Sequence, residues 1–71
     1  MRAKINIDTL GSVHKFVNTV SRVEEHVMLE DGNGLCVSAK SVLGSLYALE
    51  FTDIYCTCER DISGLILEWI V

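Results

Sequence analysis

The chain contains no proline, and with it no proline-rich linker; no repeat or low-complexity stretch is visible either. Its three cysteines are an odd number, which argues against a closed disulfide framework and reads as free thiols in a reducing compartment. No apolar run approaches the ~20 residues that span a bilayer. The N-terminal stretch MRAKINID alternates instead of forming the apolar core of a signal peptide, so a cytoplasmic, membrane-free protein is expected. Positive charge is scarce: six Lys and Arg stand against ten Asp and Glu, a net charge of −4. Nucleic-acid binding needs a cationic surface that displaces counterions from phosphates, so no nucleic-acid partner is expected. Length restricts the options further. The 71 residues make one domain, residues 1–71, with little room for a deep cleft and a catalytic constellation. That favours a binding or carrier module over an autonomous enzyme.

What is present is globular: 49% hydrophobic and 23% charged residues, above the range of disordered chains. Charge is unevenly distributed. Residues 1–22 carry +3, from Arg2, Lys4, Lys15 and Arg22 against Asp8, and residues 23–71 carry −7. Blocks of like charge are absent, so this reads more as a solvated surface than as a patch that steers a partner.

The hydrophobic period changes along the chain. Lys4 to Asp8 alternate, predicting a strand with Ile5 and Ile7 inward. Over residues 10–22, Val13, Phe16, Val17 and Val20 recur at helical spacing, with Asp8 or Thr9 able to cap the first amides. Residues 26–30 alternate again, with Val27 and Leu29 inward. Asp31-Gly32-Asn33-Gly34 is tight-turn chemistry, and Leu35, Val37 and Ala39 continue inward on the return strand. A short helix is predicted over 41–49 with Ser41 as its cap, and a fourth strand over 53–58. A last helix is predicted from about Asp61, with Ile62, Leu65, Ile66, Trp69 and Ile70 as its apolar stripe. The order is β-α-β-β-α-β-α, a two-layer α+β open-faced sandwich with one sheet face buried. Ile5, Ile7, Phe16, Val17, Val20, Val27, Leu29, Val37, Ile54, Cys56 and Leu65 are the expected core.

That order, the segment Val37-Ser38-Ala39-Lys40-Ser41-Val42-Leu43-Gly44 and the Phe16-Val17 pair in the first helix resemble the phosphocarrier protein HPr family, over roughly residues 4–70. The Ala-Lys-Ser triplet that opens the second helix is the most specific part. The resemblance implies a four-stranded antiparallel sheet in the order 1-4-2-3 with three helices on one face. It also implies a place in the sugar phosphotransferase system, with protein partners. The chain departs from the family where the family does its chemistry. The Gly-x-His-x-Arg-Pro loop between the first strand and first helix has no counterpart, and its histidine position falls near Asp8 or Thr9. The chain resembles a divergent short member of the family in which that loop is deleted. The interval from Gly44 to Leu49 is also one residue longer than the family's, and the last helix stops early.

His14 is a candidate phosphoryl acceptor. An imidazole is nucleophilic near neutral pH, but His14 lies about one turn inside the helix, where an edge-of-helix surface histidine is the simpler reading. His26 reads as a solvent-facing strand residue. Cys56 and Cys58 share one strand face with Ile54 and read as small core residues, with Cys36 on the outer face of its own strand. No four-ligand zinc set is apparent, and no cofactor is expected. Ser41 is the sharper candidate. The resemblance implies regulatory phosphorylation there by an ATP-dependent kinase, with the phosphate received by helix-start amides beside Lys40; the plain reading is an ordinary cap. Val42, Leu43, Leu46 and Tyr47, with Lys40, match the family's partner-docking surface. Three functions follow: an HPr-like regulatory or interaction protein, a degenerate phosphocarrier, or a structural or oligomerising module. Composition and pattern leave the oligomeric state and the partner open.

Overall fold

The structure, a computed structural model, describes residues 1–71. The elements are β1 (Arg2–Ile5), α1 (Leu10–Val20), β2 (Val27–Glu30), β3 (Cys36–Ser38), α2 (Val42–Ala48), β4 (Ile54–Cys58) and a single 3-10 turn at Leu67–Trp69. The four strands form one sheet in the order β1-β4-β2-β3, and every pairing is antiparallel. This is the α+β architecture expected, with α1 and α2 against one face. No helix is long and apolar enough to cross a membrane.

Local chemistry explains the helices. Thr9 is extended and its Oγ1 accepts from the Ser12 amide at 3.1 Å, which starts α1. Val13, Phe16, Val17 and Val20 then face the sheet, all buried. The helix stops two residues short of the expected end. The Ser21 hydroxyl donates to the Val17 carbonyl at 2.6 Å, competing for the acceptor of its own helical amide. Val23 then turns into the core, 2% exposed. The hairpin between β2 and β3 needs its glycines: Gly32 and Gly34 have φ of 83° and 108°, which a Cβ disfavours. Asp31 Oδ1 accepts from the amides of Asn33 and Leu35.

The pleat sorts the sheet's faces. Ile5, Val27, Leu29, Ile54, Cys56 and Cys58 are buried beneath the helices, whereas Arg2, Lys4, Met28, Glu30, Cys36, Ser38, Tyr55 and Thr57 lie on the open face. Arg2 stacks over Tyr55, 3.9 Å from the ring centroid, and pairs with Glu30 at 2.6 Å. Most of the expected core is buried, but Leu65 is 52% exposed and Val37 only half-buried. Leu35 is also exposed. It lies at the foot of the hairpin, facing a cleft with Tyr47 and Phe51 instead of the core. The first strand runs over residues 2–5 and not 4–8, because Arg2 and Ala3 pair with Thr57 and Cys56; Ile7 is buried beyond its end.

The last helix does not form. Asp61 Oδ1 instead accepts from the Ser63 amide at 3.0 Å, and hydrogen bonding from Ser63 holds this carboxyl below the ordinary carboxylate range. Gly64, near the middle of the expected helix, has weak helix propensity. Three-residue turns follow, from Leu65 to Ile62 and from Trp69 to Ile66. The chain then runs beside β1. Asn6 donates to the Trp69 carbonyl at 2.8 Å, Val71 donates to the Lys4 carbonyl at 3.0 Å, and Ile5 bridges Ile70. β1 would otherwise present an open edge, and satisfying it requires extended backbone. Ile62, Ile66 and Trp69 still reach the core.

Two glycines separate space from flexibility. A Cβ on Gly44 would meet the Ser38 carbonyl oxygen at 3.0 Å, and one on Gly11 meets nothing within 4 Å. Gly11→Ala should therefore raise stability by about 0.5 kcal/mol. Gly44→Val should lower it by about 1–3 kcal/mol, because α2 must lift away from β3. Urea midpoints read both, and an unchanged midpoint for Gly44→Val would argue against the close approach.

Candidate functional site

Ser41 sits where the sequence places it. Its backbone is extended (φ −94°, ψ 123°), and its Oγ accepts from the Gly44 amide at 3.1 Å. The Ser41 carbonyl accepts from Ser45 at 2.9 Å. The turn that leads here is also tied: Lys40 donates its amide to Ser38 Oγ at 3.2 Å, and Ser45 Oγ donates to the Ala39 carbonyl at 3.2 Å. Ser45 is the one buried polar side chain, so this bond anchors α2 to the end of β3.

Beside Ser41, α2 turns an apolar face to solvent. Leu43 is 78% exposed and Tyr47 53%, with Val42 exposed at the margin; Leu46 packs against the core and is half-buried. Burying apolar surface of this kind is the main source of association energy. Lys40 does not extend beside Ser41 as a free cation. Its ammonium donates to the Val23 carbonyl, tying the start of α2 to the segment after α1.

His14 is exposed in the second turn of α1. The amides at the helix start are partly occupied, with Ser12 held by Thr9 Oγ1 and Val13 by the Thr9 carbonyl. His26 is exposed just before β2. His14 therefore lies on α1 and His26 in the segment between α1 and β2. Cys56 and Cys58 are buried in the sheet and Cys36 is exposed. Burial, reinforced by the neighbouring Cys58 and opposed by the N-terminal ammonium, raises the Cys56 thiol to about 12. A thiol in that state is not a nucleophile near neutral pH. No group of three or more His, Cys, Asp or Glu side chains is arranged to hold a metal ion.

The charge asymmetry along the sequence is largely consumed by folding. Arg2 pairs with Glu30, Lys4 with Asp53, Lys15 with Glu68 and Arg60 with Glu25. These are exposed pairs and contribute little stability, but they decide which charges stay free. Arg22 and Lys40 are the only basic side chains outside them, against six acids that include Asp31 and Glu50. The sequence reading missed Phe51, Glu50 and the outward turn of Leu35, which together shape a cleft beside Tyr47. One local signal was available: a leucine directly after a turn glycine sits at the hairpin foot, where no helix need cover it.

No protein-family model, curated protein or solved structure matches this chain.

Proposed function

We propose that this chain is an HPr-like regulatory or interaction protein of the sugar phosphotransferase system, acting in the cytoplasm, and not a histidine phosphocarrier. The observation that carries the reading is the capped Ser41 beside the exposed Val42, Leu43 and Tyr47. The strand order β1-β4-β2-β3 and the Ala39-Lys40-Ser41 segment support it. A protein partner would seat on the outer face of α2. Ser41 would be the regulated residue: its Oγ would take the γ-phosphoryl group of ATP, losing its proton and releasing ADP. A charge of about −2 would then stand beside the apolar face, altering partner choice with little change of fold.

The degenerate-carrier reading needs a histidine at open helix-start amides. Thr9 holding the amides of Ser12 and Val13 weighs against it. Incubation with enzyme I and phosphoenolpyruvate, read by mass spectrometry, should give no histidine phosphate. An acid-labile gain lost in His14→Ala would overturn the reading. With an HPr-directed serine kinase and ATP, an acid-stable gain lost in Ser41→Ala is expected. Calorimetric titration with enzyme I and with regulators of the phosphotransferase system tests the docking. Leu43→Ala should weaken binding by about tenfold and leave unfolding unchanged; no binding to any of them would refute the docking.

A further inference from the structure

We infer that the cleft between the β2–β3 hairpin and the C-terminal end of α2 is a second docking site, which takes a cationic peptide segment of a protein partner through one apolar anchor. The cleft has a volume of about 430 Å³, within the ~300–1,000 Å³ of ligand-binding pockets. Its apolar surface comes from Leu35, Tyr47 and Phe51. Leu35 and Tyr47 are half-exposed, at 50% and 53%, although the hairpin and α2 hold them in fixed places. Tyr47 packs edge-on against Phe51, ring centroids 5.9 Å apart, which orients the tyrosine ring as a wall.

Charge identifies the occupant. Asp31 on the hairpin side, Glu50 after α2 and Asp53 before β4 border the same cleft. Asp53 is paired with Lys4 at 3.2 Å, but Asp31 and Glu50 have no cationic partner. Asp31 spends Oδ1 on the turn amides of Asn33 and Leu35, which fixes where its negative charge stands. The apolar side chains of Leu35, Tyr47 and Phe51, bordered by the fixed carboxylate of Asp31 and the exposed, unpaired one of Glu50, suit a leucine or aromatic anchor flanked by arginine or lysine. Anionic occupants, such as nucleic acid, acidic lipid surfaces and phosphopeptides, meet repulsion here. So does a second copy of the chain: each copy carries −4, and its one basic side chain outside an ion pair or a backbone hydrogen bond is Arg22. The cleft shares only Tyr47 with the α2 face proposed above, and the inference does not depend on a phosphotransferase role.

The test is a titration of the isotope-labelled full chain with the peptide Arg-Leu-Arg-Trp-Arg and with its glutamate-for-arginine counterpart. The basic peptide should move the backbone amide signals of Leu35, Glu50, Phe51 and Thr52, leaving Val42 and Leu43 in place, and the acidic peptide should move none. Glu50→Lys should weaken binding by about tenfold. Glu59→Lys, at the opposite end of β4, should leave it within about twofold. Equal losses in the two variants would mean attraction by net charge alone and would overturn the site. Shifts confined to Val42 and Leu43 would remove the cleft and leave the α2 face standing. No shift with the basic peptide, or a dimer in sedimentation that closes the cleft, would also overturn it.

Discussion

Phe16→Ala should cost about 3–5 kcal/mol, a large share of the ~5–15 kcal/mol that holds a whole domain folded and a larger one for a chain this small with a limited core. Phe16 is fully buried and meets Trp69 edge-to-face, ring centroids 5.1 Å apart. The pair joins α1 to the C-terminal segment that covers the edge of β1, so the truncation removes contacts from both. Trp69 is the only tryptophan, which makes its emission a direct reporter: its red shift on unfolding should come at a much lower urea concentration in the variant than in the parent. Phe16→Leu keeps most of the volume and should cost less than about 1.5 kcal/mol. Parent-like unfolding of Phe16→Ala would place the core elsewhere.

Alkaline pH should destabilise the protein through Cys56. Its thiol rises from an ordinary 9.0 to about 12 on folding. A group whose pKa is raised in the folded state contributes stability that is fully present below the unfolded value, here 9.0, and lost as pH climbs through the folded one. The thiol therefore stays protonated in the fold where the unfolded chain would already have ionised. Each pH unit inside that window removes roughly 1.4 kcal/mol for the one proton involved. Urea unfolding between pH 8 and pH 11 should show this slope in the parent and its absence in Cys56→Ala, with tyrosine and lysine titration common to both. A thiol reagent should meet one fast-reacting cysteine, Cys36, in the native chain; Cys56 and Cys58 should react only after unfolding. Equal reactivity of all three, or identical slopes in parent and variant, would contradict the buried-thiol account.

Local features were legible in the order of residues alone. Alternation identified β2, β3 and β4 because successive strand side chains point to opposite faces, but set the first strand at residues 4–8 where the pairing with β4 places it at 2–5; Val13, Phe16, Val17 and Val20 identified α1 because helical spacing aligns them. A cap at Asp8 or Thr9, which the structure resolves to Thr9, the Ser41 cap and the glycine turn before Leu35 were legible because each acts within a few residues. The Ala39-Lys40-Ser41 segment led to the strand order by resemblance. The remaining features depend on contacts between distant segments. Residues 61–70 have a helical pattern, yet the open edge of β1 competes for the same backbone, and strand-like pairing of Trp69–Val71 with β1 prevails. That edge lies more than sixty residues away in sequence, out of reach of any local period. Leu35 has the parity of a core residue, but parity names a face and not whether a helix covers it. The same holds for the charges. Counting them along the chain gives a basic start and an acidic remainder, whereas the ion pairs of Arg2, Lys4 and Lys15 neutralise that start and leave Asp31 and Glu50 free beside the cleft. Which carboxylates stay unpaired depends on which cations fold against them.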